Sequence, residues 1–350
     1  MRKGKFSFNA GREIEWLTAT ASIISLHPLI PFGNSSRFTK RNNAMKEQDT
    51  HVKAFFDQSV YWQGDIYKAP DNLLAKAVIR RKIYAMQMVN ELADLKTGTA
   101  LDVGCGSGVY VVELAKMGFE VKGVDISDVI LEKCRALVEE AGQSSRVSLL
   151  PGNIEQLPCE DEKFDLVLCI GVLGYLLTDY KAIEELRRVM RPGAHLVVNI
   201  ENLWNLSDLD WLFRRKLRTV LFKNSNHVMR ETQPHTMASE WIMKTSPIPY
   251  RHKAYNLWEF ERLLKAYGFE RVDAMTFFFP MRILRRIKLI PESWLDSLEV
   301  LLERVLRAVR IPYFSYSGTT YTGIFKKMSL TTLLLWFSGL QLELGDLIDF

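Results

Sequence analysis

The stretch that decides the fold runs from Thr99 to Gly108 and reads Thr-Ala-Leu-Asp-Val-Gly-Cys-Gly-Ser-Gly. A short, mostly apolar segment ends in a Gly-x-Gly-x-Gly loop, and an apolar helical pattern begins at Val109. Glycine lets a backbone turn sharply and lets a ligand approach it closely. The stretch therefore predicts a strand, a ligand-binding loop and a helix in direct succession.

Downstream of the loop, apolar strand patterns alternate with helix patterns, and glycines at 118, 142 and 268 end three of the helices. The predicted strands are 99–103, 120–124, 147–150, 164–170, 195–200, 271–278 and 319–325, and the predicted helices include 109–117, 129–141, 180–190 and 257–267. An Arg-Pro-Gly turn at 191–193 precedes the fifth strand. Such alternation produces a parallel sheet with helices on both faces. We predict an α/β fold with a doubly wound, mostly parallel seven-stranded sheet, an N-terminal helical cover and an inserted lid.

Changes in composition divide the chain into six predicted segments. They are a poorly ordered extension (1–45), a helical cover (46–95) with helices at 51–56 and 71–92, the α/β core (96–202), an inserted lid (203–250), the C-terminal part of the core (251–327) with an amphipathic helix at 292–310, and an apolar tail (328–350). The segment 203–250 interleaves tryptophan with arginine and lysine. It fits either a lid over a large acceptor or a helical pair that covers the sheet.

Composition excludes several classes of protein. Of the 350 residues 47% are hydrophobic and 25% are charged, as in globular proteins, and the net charge of +5 is too small and dispersed to indicate a nucleic-acid partner. The four cysteines form no Cys-x-x-Cys pair, which predicts reduced thiols and no metal site. No window has the roughly 20 apolar residues that span a bilayer. These features predict a cytoplasmic protein.

The residues around the glycine loop indicate the ligand. A dinucleotide fingerprint needs its third glycine one residue later. Asp102 precedes Gly104 by two residues, where a carboxylate would repel a phosphate and attract an amino group; S-adenosylmethionine has an ammonium and a sulfonium but no phosphate. Asp125 ends the second strand, where a carboxylate can accept from both ribose hydroxyls. Asn153 and Ile154 follow the third strand and suit the edge and face of an adenine ring.

These motifs, in this order, resemble class I (Rossmann-like) S-adenosylmethionine-dependent methyltransferases over about residues 99–201, with weaker similarity at 250–278 and 319–327. The resemblance implies that the glycine loop holds the methionine part. Two positions depart from the family pattern, because the family usually has Asp at the position of Asn153 and often has His at that of Gly174. The predicted cofactor residues are Asp102, Gly104, Cys105, Gly106, Gly108, Asp125, Ile126, Asn153, Ile154, Ile170 and Gly171.

The acceptor side is less clearly marked. In-line methyl transfer depends mainly on proximity and orientation, and a general base is needed only where the acceptor must lose a proton. The candidate catalytic residues are Glu201, His252 and Tyr175; the alternative is that Glu201 only solvates a rim and His252 lies in a surface loop. The resemblance also implies that residues 45–89 cover the cofactor, with Tyr61, Trp62 and Tyr67 near its methionine end.

We therefore predict a small-molecule methyltransferase with a hydroxyl or carboxyl acceptor of lipid-like, quinone-precursor or tetrapyrrole type. Two alternatives stay open: a protein or RNA methyltransferase, and a non-catalytic module that binds S-adenosylmethionine.

The predicted helix at 292–310 is amphipathic, and two interpretations of its apolar side stay open. Its apolar residues form one stripe (Leu295, Leu298, Leu302, Val305, Leu306 and Val309), with Glu299, Glu303, Arg307 and Arg310 opposite. A basic stretch precedes it. The pattern fits either peripheral contact with an anionic membrane or packing of the apolar stripe on the protein's own core.

Overall fold

A computed structural model describes residues 35–58, 65–67, 73–92, 95, 97–203, 252–277, 291–309 and 318–329. The predicted lid beyond Leu203, the aromatic pair Tyr61 and Trp62, and the tail from 330 lie outside the described residues. The chain divides into two compact units, Met1–Glu47 and Gln48–Phe350. The sheet and the candidate site belong to the second unit.

The sheet has seven strands in the order β3-β2-β1-β4-β5-β7-β6. The strands are β1 (Thr99–Val103), β2 (Glu120–Asp125), β3 (Val147–Pro151), β4 (Phe164–Ile170), β5 (Met190–Glu201), β6 (Phe269–Phe277) and β7 (Thr320–Lys327). β1 to β5 pair in parallel, and β7 is antiparallel to both β5 and β6. The predicted doubly wound, mostly parallel sheet is confirmed.

Helices cover both faces of the sheet. They are α1 (Ser35–Gln58), α2 (Leu73–Asn90), α3 (Val109–Lys116), α4 (Asp128–Glu140), α5 (Tyr180–Val189), α6 (Leu257–Ala266) and α7 (Glu292–Val309). Leu166 and Leu168 of β4 pack in a cluster with α2, α3 and α4, while Val167 and Cys169 pack in a second cluster with α5 and α6. A strand buried on both faces reads as a continuous apolar run, which is why β4 was visible in the sequence. Within the described ranges, no helix is long and apolar enough to cross a membrane.

Two predicted boundaries are wrong. Helix α1 begins at Ser35 and runs without a break past residue 45, so residues 35–45 are not irregular; no proline or glycine interrupts residues 34–58. Residues 191–193 do not form a turn before β5 but lie within it, because Phe164 pairs with Met190 and Leu166 pairs with His195. The three extra residues of β5 form a bulge, and Gly193 accommodates it with a φ of +80°.

The two faces of α7 are not divided as the sequence pattern indicated. Glu299 and Glu303 are buried against α2, where both pair with Arg80. Of the apolar stripe, Leu295 is buried, whereas Leu298 and Val305 are exposed, so the stripe does not pack on the core as a whole. The glutamates turn inward because α2 supplies an arginine that pairs with them. Hydrophobic periodicity alone could not predict this, because it assigns every charged residue to the solvent-exposed side.

Candidate functional site

The glycine loop lies at the carboxyl end of β1, where the Gly104 N–H donates to the Val124 carbonyl at 2.7 Å. A side chain at Gly104 would collide with Val172, and one at Gly108 would come within 2.5 Å of the Cys134 sulfur. Gly106 differs, because a Cβ there would meet no atom within 4 Å. The first and third glycines are thus required by packing, whereas the middle one faces open space.

Asp125 at the end of β2 fixes this loop. Its Oδ2 accepts from the Gly106 N–H at 2.9 Å, and its Oδ1 accepts from the Ser127 N–H at 2.9 Å. Burial raises the pKa of Asp125, and the backbone N–H groups act in the opposite direction. The carboxylate therefore holds the loop in place and also forms part of a cavity wall.

This cavity, of about 160 Å³, lies over the carboxyl ends of β1, β2, β3 and β4. Most of the predicted cofactor residues line it: Gly104, Cys105, Gly106, Asp125, Ile126, Asn153, Ile154, Ile170 and Gly171. Asp102 and Gly108 are the two that do not. The sequence therefore located the cavity, since the carboxyl ends of parallel strands meet at one edge of the sheet.

Asp102 is 1% exposed, and its Oδ2 has no hydrogen-bond partner among the described residues. Burial raises the pKa of Asp102 well above its usual value, and the charge of Asp125 raises it further. An unpaired buried carboxylate is costly, so this position favours a cation nearby.

Arg81 of α2 is a cavity residue that the sequence analysis missed. Its Nε is buried without a hydrogen-bond partner in the described part of the chain, and the same holds for the Tyr110 hydroxyl on the same wall. A Cβ at Gly171 would lie 2.7 Å from Nη1 of Arg81, so glycine there makes room for the guanidinium. The available signal was an arginine pair, Arg80-Arg81, inside an otherwise apolar helical pattern.

The opposite end of the cavity contains a second residue that was missed. The amide of Asn153 donates from Nδ2 to Oδ2 of Asp49 at 2.8 Å, and its Oδ1 accepts from the Glu155 N–H at 2.9 Å. Asp49 lies on α1 and lines the cavity. Nothing in the sequence near Asn153 points to it, because the two are 104 positions apart.

The three predicted catalytic residues lie together beside the cavity. The rings of Tyr175 and His252 meet edge to face, with 4.7 Å between centroids, and His252 Nδ1 lies 3.8 Å from Oε2 of Glu201. That Nδ1 is buried without a hydrogen-bond partner among the described residues. A Cβ at Gly174 would lie 2.6 Å from His252 Nε2, so the imidazole occupies the space that this glycine leaves. Tyr175 lines the cavity, whereas His252 and Glu201 are not among the lining residues.

Comparison with known proteins identifies the part of the chain that contains this cavity. Residues 101–198, which include the glycine loop, Asp125, Asn153 and Tyr175, match the family model of a methyltransferase domain. The α/β core is a class I methyltransferase domain. Members of this family are S-adenosylmethionine-dependent, so the predicted family and cofactor class are confirmed along with the fold.

Curated relatives match less than a third of this chain. Over 108 residues the chain is 39% identical to the tRNA U34 carboxymethyltransferase of Shewanella loihica, and the match covers 31% of this chain and 32% of that protein. Over 104 residues it is 35% identical to the norajmaline N-methyltransferase of Rauvolfia serpentina, and the match covers 29% of this chain and 36% of that protein. The matched part is thus about a third of the length of these relatives.

Among solved structures, a methyltransferase from Methanosarcina mazei is 18% identical, with a TM-score of 0.44, covering 69% of this chain and 97% of that one.

Proposed function

We propose that this chain binds S-adenosyl-L-methionine in the cavity at the carboxyl edge of the sheet and transfers the methyl group to a small-molecule acceptor. The observation that supports this most is the buried Nε of Arg81, which has no hydrogen-bond partner among the described residues, on the cavity wall that Arg81 shares with Tyr110 and near the buried carboxylate of Asp102. A zwitterionic amino acid offers its carboxylate to Arg81 and its ammonium to Asp102. The residues present therefore fit the methionine part of this cofactor.

Three charged residues have assigned roles in this proposal. Arg81 binds the carboxylate, the charge of Asp102 favours the ammonium, and Asp125 accepts from the ribose hydroxyls. When bound, S-adenosylmethionine supplies an electrophilic methyl group on sulfur. The chain's own residues then need only hold an acceptor in line with that group and take up a proton.

The proposed base is His252. Its buried Nδ1 lies 3.8 Å from the Glu201 carboxylate, which stabilises the imidazolium formed when His252 accepts a proton from an acceptor hydroxyl. Tyr175 lines the cavity and its ring contacts that of His252, so Tyr175 forms part of the acceptor-side wall. Phe56, Val172 and Leu176 make the rest of that wall apolar, which suits an apolar metabolite with a hydroxyl or carboxyl group.

Transfer to tRNA is the second candidate, because several relatives are tRNA U34 carboxymethyltransferases. The two candidates are separated by incubating the protein with methyl-labelled S-adenosylmethionine and either a small-molecule extract or total tRNA. Label in the small-molecule fraction supports the proposal, and label in tRNA alone overturns its acceptor class.

Cofactor binding is tested by calorimetry with S-adenosylmethionine and S-adenosylhomocysteine, with NADH as the control ligand. Arg81→Met removes a charged hydrogen-bond donor, and such a hydrogen bond contributes about 1.5–3 kcal/mol. The affinity for both adenosyl ligands should therefore fall by roughly 10- to 100-fold. Lys82→Met is the matched control, because Lys82 follows on the same helix and pairs with Glu113 at 2.9 Å. Binding of NADH without either adenosyl ligand would refute the proposal.

The role of His252 is tested by His252→Gln. We expect kcat to fall with little change in cofactor affinity, and the limb of the pH–rate profile that reports the base to disappear. An unchanged pH profile would remove His252 from the reaction.

A further inference from the structure

Helix α7 has an apolar face that points away from the protein. Trp294, Leu298, Leu301 and Val305 are between 45% and 71% exposed, and their spacing of four, three and four residues places them on one side of the helix. We call these four residues the outer stripe. Leu295, on the other side, is buried.

The acids of α7 whose side chains are described all turn toward α2. Asp296 pairs with Lys76 at 2.7 Å, and Arg80 lies 3.0 Å from Glu299 and 3.1 Å from Glu303. These ion pairs help to hold α7 against α2, while the four residues of the outer stripe stay exposed. Single exposed apolar residues are ordinary, but a continuous stripe marks an interaction site.

Charge indicates the kind of partner. None of these acids lies on the outer stripe, and Arg304 beside it is exposed. In the sequence, the 13 residues before Pro291 contain Arg282, Arg285, Arg286 and Lys288 and no acid. An apolar stripe with a tryptophan near one end and an exposed arginine beside it, in a helix that four basic residues precede in the sequence, suits the interface of a membrane that contains anionic lipid. We propose that the outer stripe of α7 is a docking surface for an anionic phospholipid membrane.

The test is co-sedimentation of the full chain with vesicles of phosphatidylcholine alone or mixed with phosphatidylglycerol. We expect binding to the mixed vesicles, weakened by salt, and little binding to the neutral ones. Leu301→Gln should weaken binding by more than about tenfold, since binding scales with the apolar area buried. Val272→Gln is the matched control, because Val272 is 50% exposed on β6, outside the stripe.

Three outcomes overturn the proposal. Binding that Leu301→Gln leaves unchanged would place the membrane contact elsewhere. A dimer in sedimentation equilibrium that Leu301→Gln dissociates would assign the stripe to a second copy of the chain. A lower melting temperature of Leu301→Gln without any vesicle binding would assign it to another segment of the same chain.

A second observation, at the Asn153 end of the cavity, is independent of α7. The hydrogen bond from Asn153 uses Oδ2 of Asp49 alone, and burial raises the pKa of that carboxyl. The amide of Asn153 is itself held at both ends. Oδ1 of Asp49 takes no part in that hydrogen bond, so this carboxylate can accept a further one.

We infer that Asp49, held by Asn153, selects the adenine base by accepting from its exocyclic amino group. This rests on the proposed function. The carboxylate acts here from α1, while Asn153 acts as a positioning residue from the loop after β3.

The inference is tested with S-adenosylhomocysteine and S-inosylhomocysteine, in which a carbonyl oxygen replaces the amino group. Wild-type protein should prefer the adenosyl ligand by about 10- to 100-fold, the range for a hydrogen bond to a charged group. Asp49→Asn should reduce this preference to less than about threefold.

A preference that survives Asp49→Asn overturns the inference. Failure of the proposed function looks different, because the wild-type protein would then bind neither ligand.

Discussion

The middle glycine of the loop offers a direct test of the cofactor site. Gly106 has a φ of +54° and open space around a Cβ position, and so does Gly142, which follows α4 and has a φ of +66°. Alanine at either position costs about 1–2 kcal/mol of stability, because left-handed backbone is unfavourable for residues with a Cβ. The melting temperature should fall by a few degrees in both variants, at about 2–4 °C per kcal/mol.

Binding should separate the two variants. The open space at Gly106 is the cavity, so the methyl group of Gly106→Ala would occupy space that the ligand needs. We expect calorimetry with S-adenosylhomocysteine to show a loss of more than about tenfold, or 1.4 kcal/mol, for Gly106→Ala. Gly142→Ala should bind like wild type. Equal affinities of the two variants would refute the assignment of the loop to the ligand.

Three further predictions concern other parts of the molecule. Burial raises the pKa of Asp102, so its carboxyl stays protonated to a higher pH in the unliganded protein than in the unfolded chain, and a bound cation displaces the proton. The affinity for S-adenosylmethionine should therefore rise with pH, by at most about tenfold per pH unit, until the raised pKa is passed. Calorimetry in buffers of different ionisation enthalpy should detect the released proton, and Asp102→Asn should abolish this proton release. Arg80→Met removes the guanidinium with which two buried glutamates of α7 pair and should lower the free energy of unfolding in urea by about 3–5 kcal/mol. Gly174→Ala displaces the His252 ring, so kcat should fall while calorimetric cofactor affinity changes little.

Much of the fold follows from local patterns. β4 is a continuous apolar run and β1 ends in glycines, so both could be placed to within a residue. Local patterns failed where the backbone conformation depends on a neighbouring strand. Residues 191–193 have the composition of a turn, but pairing with β4 on both sides keeps them inside β5.

The candidate site divides in the same way. Residues on the loops after β1 to β4 could be predicted because a parallel sheet brings its carboxyl ends together. Asp49 and Arg81 could not, since they reach the cavity from α1 and α2, and helix docking is not encoded by spacing along the chain. The sequence predicts His252 as a candidate catalytic residue but not its contact with Gly174. From the sequence, Gly174 only marks a position where the family often has histidine.

The position of α2 links these observations. Its residues 76, 80 and 84 lie one turn apart and face the acids of α7, including the bond from the Tyr84 hydroxyl to Glu303. Arg81 lies next to Arg80 in the chain and turns toward the cavity. One helix therefore contacts the surface helix α7 on one side and supplies the proposed cofactor ligand Arg81 on the other. Neither α1 nor α2 falls within residues 101–198, so the segment that matches the family model holds most of the candidate site, while Asp49 and Arg81 come from helices outside that segment.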